Sequence, residues 1–189
     1  MPTDRRFCRF VRSSDKGTTN ASFNVSEIPE GGICLSAFLI ISSRGEDKVL
    51  MGHLNPKGNW DHIGALDKTR LEWFKDGWML PSSHLIMHES PQAAARRILF
   101  EQLGLEESQV EVSDPICVSE TYRAERFPER KQDHWDIEFI FKGTMNSSAT
   151  PSKPELWNEL KFVDITKTKK EEITRSHEDI LKHLGWKFG

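Results

Sequence analysis

Two histidines four residues apart, His84 and His88, follow the serine pair Ser82-Ser83 in one polar loop. Imidazole exchanges protons near neutral pH, which suits such a pair to proton transfer. Without a third ligand beside them they make a poor metal site, and surface histidines are common. A second group lies at Tyr122-Arg123-Ala124-Glu125-Arg126-Phe127-Pro128-Glu129-Arg130-Lys131. Its arginines, Arg123 and Arg126 among them, offer planar forks that match phosphate, and its aromatics offer faces for a base. The mixed charges describe an ordinary solvated hairpin equally well. Asp136 and Glu138 alternate on one face of a strand, where a solvated acidic face is the plainer account. Three cysteines, Cys8, Cys34 and Cys117, form no CxxC pair, so neither a zinc site nor a disulfide framework is expected.

These groups need elements to position them. The 189 residues are 37% hydrophobic and 29% charged, which suits one packed α/β domain with extensions. Residues 1–30 read as a polar extension with one short element near Phe7–Val11, and residues 31–189 as the domain. Ile33 to Ile41 is a nearly continuous apolar run, as in a strand buried on both faces. Lys48–Gly52 reads as the returning strand. An irregular insert spans residues 53–77, with a short helix over Leu66–Phe74; Trp60 and Trp73 are its two tryptophans. Residues 78–89 read as a strand end running into a loop. Ser90 followed by Pro91 is a helix start, and Gly104 a helix stop, so a helix is expected over Pro91–Leu103. Strands follow at Val110–Val112, Ile116–Tyr122, Trp135–Lys142 and Leu160–Val163, and a terminal helix at about 171–184.

The stretch from Trp78 to Leu105 resembles the Nudix box. That pattern is Gly, five residues, Glu, seven residues, Arg-Glu-apolar-any-Glu-Glu-any-Gly-apolar. Six of its nine specified positions match, at Glu89, Arg97, Leu99, Glu101, Gly104 and Leu105. Ser83, Ile98 and Gln102 depart from it. The resemblance extends from about Gly32 to Leu184 in its order of elements, and it implies an α/β fold: a Nudix-type α/β/α sandwich with a mixed central sheet.

It also implies a site. In the family the box presents carboxylates to divalent cations that bind a diphosphate between two linked groups. Carboxylates at i, i+3 and i+4 share one helix face. Here those positions are Ile98, Glu101 and Gln102, so one carboxylate survives. The resemblance therefore implies Mg²⁺ (or Mn²⁺) on Glu101 and the Gln102 carbonyl, with Glu101, Glu89 and Arg97 as the catalytic set. Arg97 and Glu89 are orienting groups in the family; a scaffold ion pair is the plainer account of both. Ser82, Ser83 and His84, with Arg123 and Arg126, are the residues expected to touch substrate. Paired family glycines stand at Ser82-Ser83 here, and the family's glycine before Glu89 is His88. Glu155, Glu159, Asp136 and Glu138 are the candidates for a catalytic base.

Two functions follow. One is a hydrolase cleaving a nucleoside diphosphate linked to another moiety, at a weakened Mg²⁺ site. The other is a catalytically inactive Nudix domain that binds a nucleotide, RNA or a protein. A net charge of −3 and pI near 6.2 argue against a general nucleic-acid coat, leaving a nucleotide-type small molecule as the expected partner, with a homodimer common among relatives. No apolar run approaches the ~20 residues that span a bilayer, and no signal-peptide pattern follows the basic N-terminus, so a cytoplasmic protein is expected and the sequons at Asn20, Asn24 and Asn146 are read as chance matches.

Overall fold

The computed structural model describes residues 9–10, 29–43, 47–64, 66–122, 132–146 and 149–189. Its frame is an eight-stranded mixed sheet. The strands are β1 (Arg9–Phe10), β2 (Ile33–Ser42), β3 (Lys48–Leu54), β4 (Ser82–His84), β5 (Val110–Val112), β6 (Ile116–Tyr122), β7 (His134–Met145) and β8 (Trp157–Asp164). The central path runs β5-β7-β2-β3-β8, with β1 and β4 attached to β2 and β6 attached to β7. β2 and β7 lie parallel over ten residue pairs, from Ile33 against Trp135 to Ser42 against Thr144. The other pairings between described strands are antiparallel. The continuous apolar run of β2 is explained by this central place, with helices covering both of its faces.

Side chains of a strand alternate between faces, so odd and even positions of β2 and β7 build separate cores. Ala37, Leu39, Ile41 and Phe141 pack with Ala95, Ile98, Leu99 and Leu103 of α3 (Pro91–Leu103). Phe38, Ile40 and Ile140 pack on the opposite face with Ile180 and Leu181 of α4 (His177–His183). The result is the expected sandwich, α3 and α4 on either side of the sheet. A third core gathers Trp60, Leu66, Leu71, Met79 and Trp157 at the side, around α1 (Trp60–Gly64) and α2 (Lys68–Phe74).

α3 begins and ends where its sequence places it. The Ser90 side chain accepts the Ala93 N–H at 3.1 Å, Pro91 occupies the first turn, and Gly104 closes the helix at φ 66°. A Cβ at Gly104 would also stand 2.7 Å from the Ser152 carbonyl.

Three expectations need correction. The insert 53–77 is not irregular: it carries α1, unforeseen, as well as α2, which starts at Lys68 behind the N-cap Asp67 instead of at Leu66. The terminal helix is half the expected length, because a 3-10 turn over Lys170–Glu172 is followed by Ile173 held as an isolated bridge to Trp78. Trp78 donates to the Glu172 carbonyl at 2.8 Å, and the Thr174 N–H returns to Trp78 at 3.0 Å. Arg175 and Ser176 then turn with left-handed backbones, φ 61° and 60°, before α4 starts at His177. Finally Ser82–His84, expected as loop, is a strand on β2. Among the described residues no helix is long and apolar enough to cross a membrane.

Candidate functional site

Three of the six matching box positions, Glu89, Arg97 and Glu101, build a knot around the Arg97 guanidinium. Its guanidinium clasps Glu89 through both oxygens, Nε to Oε1 at 2.7 Å and Nη2 to Oε2 at 2.8 Å. It also donates to the His84 carbonyl at 2.9 Å and the Ser83 hydroxyl at 3.2 Å. Glu101 stands one turn further along α3, 3.8 Å from Nη1. Glu89 in turn accepts the Ile86 N–H at 2.9 Å, closing the loop before the helix. Bidentate, partly buried pairs of this kind are strong and directional. The loop residue His88 sits at φ 70°, the conformation glycine reaches without strain, so the histidine keeps the backbone of the family's glycine.

The departures from the pattern have structural partners of their own. Ile98 is wholly buried in the core between α3 and the sheet. Gln102 is also wholly buried, and both ends of its amide bind the backbone of Ser82. Oε1 accepts the Ser82 N–H at 3.1 Å, and Nε2 donates to the Ser82 carbonyl at 2.8 Å. The Gln102 carbonyl on the main chain takes the Trp157 indole N–H at 2.7 Å. The side-chain oxygen expected to face a cation is thus engaged with β4. The carboxylate inventory on this face of α3 is Glu101 alone, and among the described residues no three His, Cys, Asp or Glu side chains converge as a metal-binding group. These donors do not fit a helix-held Mg²⁺ or Mn²⁺ cluster.

β4 separates the knot from a cleft. Ser83 faces Arg97, while Ser82 and His84 alternate to the other side of the sheet. A cleft partly open to solvent is lined there by Ser36, Ser82, Ser83, His84, Tyr122, His134, Asp136, Glu138, Arg70, Arg175 and His177. The strand register explains the gathering. Ser36 on β2 pairs with His84 on one side and Glu138 on the other, and Asp136 and Tyr122 follow on β7 and β6.

The polar wall of this cleft is tightly built. Ser36 donates to Asp136 Oδ1 at 2.8 Å, and the Tyr122 hydroxyl donates to Glu138 Oε1 at 2.8 Å. Burial, and then the neighbouring charge of Asp136, push the Glu138 carboxyl up to about 8. Burial and the Glu138 charge push the Tyr122 hydroxyl upward as well. Tyr122 stacks on His134 with ring centroids 5.3 Å apart. Across the cleft, His177 is buried and accepts the Leu80 N–H on Nδ1 at 2.9 Å. Burial, assisted by Arg175, holds that imidazole well below its ordinary value, so it is neutral.

The structure therefore places Ser82, Ser83 and His84 on the cleft, and Glu89, Arg97 and Glu101 in the knot behind it, which Ser83 also joins through its hydroxyl. Arg123 and Arg126 lie outside the described residues. Of the four base candidates, Asp136 and Glu138 line the cleft, whereas Glu155 and Glu159 stand near β8 beside Lys153 and Lys161 and do not. Trp60 is buried and donates to the Leu156 carbonyl at 2.9 Å; Trp73 is half exposed on α2. Sequence reading missed Ser36, Arg70, His134, Arg175 and His177 as site residues. Two carried a signal: Ser36 interrupts an apolar run, and His177 occupies a position on the apolar stripe of the terminal helix.

The NUDIX domain family model matches residues 36–184, and the chain belongs to the Nudix family. No curated protein matches the chain. Among solved structures, the NUDIX domain of Shewanella oneidensis NrtR complexed with ADP ribose is 14% identical, covering 82% of this chain and 87% of that one at a TM-score of 0.53. A C. elegans Ap4A hydrolase is 15% identical over 82% and 88% of the two chains, TM-score 0.43. A NUDIX-family hydrolase from Clostridium perfringens is 18% identical over 79% and 91%, TM-score 0.48. At these identities the likeness is one of fold.

Proposed function

We propose that this chain binds a nucleotide-type small molecule in the cleft on the α4 face, and that α3 braces β4 instead of carrying metal-assisted hydrolysis. The observation that carries this is the Gln102 clamp: the box residue that would ligate a cation is hydrogen-bonded at both ends to Ser82. Ile98 in the core supports the same reading. The cleft supports the choice of ligand. Arg70 and Arg175 suit a phosphate group, Asp136 and Glu138 suit polar edges of a base or sugar, and a similar fold holds ADP-ribose. Thermal unfolding with ADP, ADP-ribose, UDP-glucose and diadenosine tetraphosphate, each with EDTA or Mg²⁺, tests it. At least one should raise Tm equally in both conditions, since a ligand that binds the native state stabilises it by mass action. Absence of any shift would sink the reading.

The retained Glu89–Arg97–Glu101 set favours a second reading, hydrolysis of a nucleoside diphosphate linked to another moiety. Mg²⁺-dependent turnover of any of these compounds that Glu101→Gln abolishes would establish it in place of the first.

A further inference from the structure

Glu138 is 1% exposed, and among the described residues its Oε2 has no hydrogen-bond partner although the residue forms part of the cleft wall. Buried polar atoms are nearly always paired, so an orphan in a cleft wall calls for a partner that arrives with a ligand. The other oxygen settles which partner. Tyr122 is kept in its protonated form by burial and by the acidic neighbourhood, so its hydroxyl donates and Oε1 accepts. A neutral Glu138 then carries its proton on Oε2. The groups around it oppose ionisation: Asp136 on its own strand, Glu120 on β6 and Asp179 on α4 each add negative charge. His134, His84, Arg70, Arg175 and His177 complete the cleft from β7, β4, α2 and the approach to α4.

We propose that Glu138 is a specificity-determining residue of this cleft, donating a hydrogen bond from its carboxyl Oε2 to an acceptor on the bound molecule, a carbonyl oxygen or an unprotonated ring nitrogen. The assignment rests on the nucleotide-binding reading above. It separates ligands by what they present to this wall. An edge with an acceptor satisfies Oε2–H, whereas an edge offering only N–H donors leaves two protons facing one another.

The test is calorimetric titration of the full chain with ADP-ribose between pH 6.5 and 9.5. The diphosphate bridge of ADP-ribose has no proton to lose in that range. Wild type should bind about tenfold more weakly at pH 9 than at pH 7, because the donor form is then a minor fraction. Glu138→Gln keeps a donor at every pH and should bind comparably at pH 7 with no weakening at pH 9. Glu138→Leu, checked for cooperative unfolding, should bind at least tenfold more weakly at pH 7. ADP-ribose binding that ignores both pH and Glu138→Leu overturns this proposal and leaves nucleotide binding standing. Equal weakness of the Gln and Leu variants also overturns it. Absence of ADP-ribose binding by wild type at every pH removes it as well, whereas the nucleotide reading falls only if the whole panel fails.

Discussion

Gln102 differs from the glutamate of the family pattern by one amide nitrogen, and that nitrogen donates to the Ser82 carbonyl. Replacing it with a carboxylate turns a donor into a second acceptor at a wholly buried position. Gln102→Glu should therefore lose roughly 2–4 kcal/mol of stability in urea denaturation, the range for an unsatisfied and repelling buried polar group. A change within 0.5 kcal/mol of wild type would show the clamp to be idle. Arg97 raises the same question with a charge. Its side chain and that of Glu89 are 10% and 12% exposed, so Arg97→Met strands a nearly buried carboxylate and should cost about 3–5 kcal/mol in the same measurement. At this scale the sequence was half legible. The pattern marks Ile98 and Gln102 as lost ligands, but their new partners, the core and the Ser82 backbone, depend on where β4 crosses α3, and no spacing rule encodes that.

Among the elements, α3 was the most legible because its signals are local: a hydroxyl cap, a proline in the first turn, an apolar stripe and a glycine stop. Ser90→Ala should lower stability by about 1 kcal/mol, read as a fall in Tm. Ile98→Glu, which restores the family's carboxylate on paper, should instead abolish cooperative folding or cost more than about 4 kcal/mol, since the side chain points into a closed core. Circular dichroism melts decide between these outcomes and tolerance. The illegible elements are those governed from a distance. β4 is three residues of Ser-Ser-His that read as a turn and become a strand only because β2 offers its edge. The terminal helix carries helical spacing from Ile173 onward, yet pairing with Trp78 and two left-handed residues delay it to His177.

For the whole molecule, the two strongly displaced groups with opposite effects on stability are Glu138 and His177, both on the cleft. The folded value of Glu138 is raised, so its stabilising contribution is complete below about 4.5 and is lost as pH climbs toward 8. His177 is depressed when folded, so its contribution is complete above 6.5 and is lost as pH falls below that. Below pH 6.5 the two slopes oppose one another. From 6.5 to 8 Glu138 acts alone, and wild type should lose roughly 2 kcal/mol at about 1.4 kcal/mol per pH unit. Chemical denaturation should show this fall between pH 6.5 and 8, and Glu138→Leu should remove it. An unchanged fall in the variant would place its origin elsewhere. Both effects arise on the α4 side of the sheet, with the box knot on the α3 side, and the strand Ser82–His84 meets both, Ser83 through its hydroxyl as well as its backbone. A chain so divided has two nearly independent mutational histories open to it. Substitutions facing α3 can erode an inherited chemistry while those facing α4 go on refining what is recognised, so decay and invention can proceed together on the two sides of one three-residue strand.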